Sequence, residues 1–132
     1  MIVLDASVLI AHLDPRDALH DAADERLLDA ADQPFGASTI TLAEVLIAPL
    51  RTGTLRTTQA ALKALEVEEL PLPRGAAEQL AALRADTGLK LPDCCVLLAA
   101  ETSNGAVLTF DERLARAAAE RGLAASSNPA PA

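Results

Sequence analysis

Four acidic residues interrupt apolar surroundings at points where the chain should change direction. Asp5 ends Ile2-Val-Leu-Asp, Asp111 ends Leu108-Thr-Phe-Asp, Glu44 lies in Ile40-Thr-Leu-Ala-Glu-Val-Leu, and Asp93 lies in Leu91-Pro-Asp-Cys-Cys-Val. Each has an ordinary reading as well, since acids are common helix caps. Strand carboxyl ends and helix first turns fall on the same rim of a doubly wound sheet, where ligands bind in open α/β folds, so all four can converge. A helix N-terminus favours one carboxylate there, but four together repel unless cations bind between them. Oxygen-only donors select hard cations, Mg²⁺ or Mn²⁺, over zinc. Ser7 stands two residues after Asp5 and Thr109 two before Asp111. Either hydroxyl could orient a carboxylate, or could simply be a cap and a strand-end residue.

The elements that must position these acids alternate along the chain. Ile2 to Leu4 is continuously apolar, as in a strand buried on both faces, and the stretch from Ser7 to Leu13 is spaced for a helix. Asp14 to Asp17 reads as a turn. A helix is predicted from about Leu19 to Ala31 and a short strand over Phe35 to Thr39. The next helix runs from Thr41, its expected N-cap, to about Ala48, limited by Pro49. Further helices are predicted over Thr57 to Leu65, Gly75 to Thr87, Leu91 to Ser103 and Glu112 to Arg121, with strands over Val67 to Leu70 and Ala106 to Thr109. Leu123 to Ala125 is a candidate edge strand. This alternation predicts a three-layer α/β/α sandwich with a mostly parallel sheet of four to five strands, one domain over residues 1–125, and a disordered tail over 126–132.

Composition narrows the function. The 132 residues suit one domain, and aromatic content is 2%, with no Trp or Tyr, too little for a base-stacking platform. The net charge of −8 argues against general polyanion binding, but not against an enzyme whose carboxylates hold cations that neutralise phosphates. Cys94 and Cys95 are the only cysteines and are adjacent, so a disulfide scaffold and a zinc site are not expected. No run approaches a membrane span, and the N-terminus is a poor signal peptide, so a cytoplasmic location is expected. His12 and His20 read as isolated surface or packing residues. Lys90, Arg113 and Arg116 are candidate contacts to a phosphate backbone, or else solubilising charge. Phosphatase and receiver chemistry fits poorly because Ala6-Ser7, not a second Asp, follows Asp5, and no Gly-rich phosphate loop is present.

The ordered set Ile2-Val-Leu-Asp-Ala-Ser-Val-Leu-Ile10, Ser38-Thr-Ile-Thr-Leu-Ala-Glu-Val45, Gly88-Leu-Lys-Leu-Pro-Asp93 and Leu108-Thr-Phe-Asp111 resembles the PIN-domain ribonucleases, specifically VapC-type toxins of bacterial toxin–antitoxin pairs. The resemblance spans nearly the whole chain. It implies that Asp5, Glu44, Asp93 and Asp111 form the metal site, with Ser7 as support and Asp111 the most variable member. It also implies Mg²⁺-dependent hydrolysis of RNA phosphodiesters, inhibition of translation or growth, a cognate VapB-type antitoxin, a homodimer and a toxin–antitoxin hetero-oligomer. Within this frame, a degenerate binding module and a housekeeping RNA-processing nuclease are the competing expectations.

Overall fold

A computed structural model describes residues 1–126 and 128. Strand β1, Ile2–Leu4, leads into helix α1, Ala6–Leu13, and α2, His20–Asp29. Strand β2, Phe35–Ser38, is followed by α3, Thr39–Thr52, and α4, Leu55–Ala64. Strand β3, Glu68–Leu70, precedes α5, Ala76–Thr87, and α6, Leu91–Ser103. Strand β4, Ala106–Leu108, leads to α7, Glu112–Glu120. The sheet order is β3-β2-β1-β4, and every pairing is parallel. Ala124 adds a parallel bridge to Val107, so the expected fifth strand survives only as one rung.

The two faces of the sheet separate by the period of a strand. Ile2 and Leu4 point into one core with Val8, Leu9, Leu27 and Val45, while Val3 points into the other with Leu97, Leu98, Val107 and Leu114. Helices cover both faces, giving the expected three layers. Helix α6 is buried without a break from Cys94 to Ala100. Its small Ala and Cys side chains let it lie close against its neighbours, and a helix apolar all round belongs inside. Burial of each fully enclosed leucine, such as Leu4, Leu97 and Leu108, contributes about 2 kcal/mol. Both cysteines are buried and free, Cys94 packing into the core beside Leu97 and Leu98.

Two local expectations are corrected. Ser38, not Thr41, caps α3, its side chain accepting from Ile40 N at 3.3 Å. The small, buried end of β2 turns directly into helix there, and Thr41 is carried into the interior at 1% exposure. Helix α3 also passes through Pro49 to Thr52. The missing proline N–H removes one bond to the preceding turn. The last turn is held instead by Thr52 Oγ1 donating to Ala48 O at 3.0 Å and by Gly53, at φ 75°, whose N–H donates to Pro49 O. Of the tail expected to be disordered, residues 127 and 129–132 lie outside the described residues. Among the described residues no helix is long and apolar enough to cross a membrane.

Candidate active site

Asp5 occupies the N-cap position of α1 in extended conformation, yet its side chain makes no capping bond. Its Oδ2 instead accepts from Ser7 Oγ and Thr109 Oγ1, both at 2.7 Å. The same hydroxyls accept in turn from the chain after β4. Phe110 N donates to Ser7 Oγ at 3.1 Å, and Asp111 N donates to Thr109 Oγ1 at 3.0 Å. Asp5 is 7% exposed and Thr109 fully buried. One buried carboxylate oxygen thus joins the ends of neighbouring strands β1 and β4. Ser7 lies in the first turn of α1, but its hydroxyl serves Asp5.

The other three acids reach the same rim from different elements. Asp93 is half-buried in the first turn of α6. Glu44 is exposed and lies one turn deeper in α3 than expected, because that helix begins at Thr39. Asp111 is both cap and candidate ligand: its Oδ1 accepts from Leu114 N at 3.0 Å.

Electrostatics link all four. Although the Glu44 side chain is largely exposed, partial desolvation pushes its carboxyl up, and the charge of Asp5 adds to it. Burial, then Asp5, Asp111 and Glu44, push Asp93 up to about 6, partly offset by nearby Lys90. No three acid, His or Cys side chains among the described residues are grouped tightly enough to grip an ion as they stand. The charges of Asp5, Asp111 and Glu44 all act on Asp93 even so. The donor chemistry nevertheless fits a hard divalent cation. Every donor is an oxygen, Asp5 is held in one orientation, and the raised Asp93 carboxyl marks a place where ionisation is costly and a cation would relieve it.

This predicts that Asp93→Asn stabilises the protein near neutral pH. Asp93 holds its proton more tightly when folded, at about 6, than at its ordinary value of 3.8. Folding stability therefore falls as pH rises between those values, and the deficit persists above them. Solvent screening of a half-exposed side chain reduces the gain on substitution to about 1 kcal/mol. Thermal melts across pH should show the variant more stable at neutral pH and equal to the parent below about pH 4. Equal stability at neutral pH would contradict the coupling of the four acids.

The weaker candidates divide. Lys90 is exposed at the N-cap of α6, close enough to act on Asp93. Arg113 and Arg116 are exposed on α7 and line a groove whose walls include none of the four acids. His12 and His20 are not isolated from each other, because both approach Asp24, at 2.6 Å and 3.4 Å. They clip α1 to α2 near the far end of α1 from Asp5. His20 also bonds Ala11 O, which, with Asp24, raises its pKa.

Two polar groups near this region had no distinctive local signal. Asn128 donates from Nδ2 to Val107 O at 2.8 Å and accepts Thr109 N at 3.1 Å, so a side-chain amide extends the edge of β4 behind the residue that holds Asp5. The Thr41 hydroxyl, on the same helix as Glu44, is buried without a partner among the described residues.

A parallel sheet with acids gathered from two strand ends and two helices defines an α/β protein with an acidic site at the carboxyl edge of its strands. The chain belongs to the PIN-domain family, whose model matches residues 2–120. Similar solved structures include a toxin–antitoxin complex from Klebsiella pneumoniae, at 22% identity and TM-score 0.73, covering 100% of this chain and 98% of that one. Another is VapC20 of Mycobacterium tuberculosis, a sarcin–ricin-loop-cleaving toxin, at 20% identity and TM-score 0.70, covering 89% and 95%. PAE2754 of Pyrobaculum aerophilum is similar at 20% identity and TM-score 0.58, covering 88% and 83%. No curated protein matches the sequence significantly.

Proposed function

We propose that this chain is a Mg²⁺- or Mn²⁺-dependent endoribonuclease that hydrolyses RNA phosphodiester bonds as the toxin of a toxin–antitoxin pair. It would act in the cytoplasm as a homodimer, slow translation and growth, and be restrained in a hetero-oligomer with a cognate VapB-type antitoxin. The observation that carries this reading is the buried Asp5 carboxylate, pinned by Ser7 and Thr109 and electrostatically coupled to Glu44 and Asp93. Membership of the PIN-domain family and likeness to the toxin structures support it.

Asp5, Glu44, Asp93 and Asp111 would hold the cation. Bound there, Mg²⁺ supplies activation of water and neutralisation of phosphate charge. The chain itself supplies orientation. Asp5 cannot turn freely, because Oδ2 accepts two hydroxyl hydrogens. Asp111 is likewise restrained, its Oδ1 accepting from Leu114 N. Prepositioned groups of this kind do not have to be ordered during the reaction.

Cleavage of RNA is expected to stop in EDTA and return with Mg²⁺ or Mn²⁺. Asp93→Ala should abolish both that cleavage and the growth arrest caused by expressing the intact chain. Cleavage that persists in EDTA rules out the metal mechanism. Cleavage without growth arrest separates nuclease activity from a toxin role and favours RNA processing.

A further inference from the structure

Helix α7 carries two arginines with no assigned partner. Arg113 and Arg116 are exposed and, among the described residues, make no ion pair. They lie one turn apart on one face and line a groove of about 460 Å³ with Thr87, Leu89, Asp86 and Arg121. That volume is within the range of ligand-binding clefts. Arg121 is already committed, bridging Asp86 and Glu101 at 3.0 Å each, and this strut ties α7 to α5 and α6. The groove wall therefore carries three arginines, Arg113, Arg116 and the shared Arg121, against two carboxylates, Asp86 and Glu120.

The groove's position relates it to the acids. Arg113 is two residues beyond Asp111, and Leu89 on the opposite wall is four before Asp93. Lys90 continues the positive charge toward Asp93. In a chain of net charge −8, two free guanidinium groups leading away from a carboxylate cluster match a polyanion whose reacting phosphate lies at the acids. Guanidinium groups bind phosphates through paired N–H donors.

We propose that this groove binds the backbone of single-stranded RNA on one side of the scissile bond, with Arg113 and Arg116 each contacting a phosphate. The inference rests on the ribonuclease reading and adds where the substrate strand runs. Since neither arginine touches the reacting phosphate, they affect binding of substrate and transition state alike. Their loss raises KM and leaves kcat in place.

The test is cleavage of a short fluorescent single-stranded RNA in Mg²⁺ by the intact chain and by Arg113→Gln/Arg116→Gln, over a range of salt. The double variant is expected to raise KM roughly tenfold, the scale of two charge-assisted contacts discounted for exposure. The slope of log KM against log salt should fall by about 1.4, about 0.7 for each lost phosphate contact on a single strand. Lysine at both positions should restore most of the salt slope. Arg16→Gln, whose side chain is 94% exposed in the turn after α1, should change neither quantity. An unchanged KM, or a raised KM with an unchanged slope, overturns the groove assignment while leaving the nuclease reading intact. If the intact chain itself cleaves no RNA with Mg²⁺ or Mn²⁺, both fall together.

Discussion

Asp5→Asn is expected to lower RNA cleavage by roughly 10³-fold or more, since a lost metal ligand removes several kcal/mol of charge stabilisation. The fold should survive, because the asparagine carbonyl oxygen can accept the hydroxyls of Ser7 and Thr109 that now bond Asp5 Oδ2. What disappears is a charge, and with it one of the terms raising Glu44 and Asp93. NMR titration should therefore find the Asp93 carboxyl below about 6 in the variant. Melting temperature should hold or rise. A variant that still cleaves at the parental rate would remove Asp5 from the site, whatever its effect on the neighbouring acids.

Thr109→Val should be nearly as informative, although it replaces none of the four candidate ligands. Valine matches threonine in shape but removes the donor to Asp5 Oδ2 and the acceptor for Asp111 N. Thr109 is fully buried, so the Asp111 amide loses its acceptor and stability should fall by about 2 to 3 kcal/mol. Metal affinity and cleavage should fall 10- to 100-fold, the usual cost of losing a group that orients a ligand. Thr109→Ser is the control. It retains the hydroxyl and should recover most of the activity, while a purely structural loss of the methyl group would leave it impaired. Isothermal titration with Mg²⁺ and single-turnover cleavage check the two effects separately.

Much of the architecture is legible without coordinates. Helix α6 matches its expected limits, Leu91 to Ser103, because Pro92 marks its start and Asn104-Gly105 its end. The buried β1 follows from three consecutive apolar residues. The errors fall where tertiary context overrides a local signal. Pro49 looks like a helix terminus, but Gly53 and the hydroxyl of Thr52 hold one more turn. Thr41 has the composition of a cap, but the end of β2 puts Ser38 in that role.

The same division runs through the site. Sequence alone determined that Asp5, Asp93 and Asp111 stand at element ends and could share a rim, because strand and helix limits are local properties; Glu44, expected in a first turn, lies a turn deeper in α3. Tertiary structure decided how they are held. Thr109 and Asp5 are 104 positions apart and meet only because β4 lies beside β1. The ambiguity of Ser7 was resolved by the same adjacency, since Phe110 N reaches its hydroxyl across 103 positions. The pairing of His12 and His20 through Asp24 depends on how α1 packs on α2, and the raised Asp93 carboxyl on burial beside three other acids. Periodicity and capping act over a few residues, whereas strand order and burial are settled by the chain as a whole.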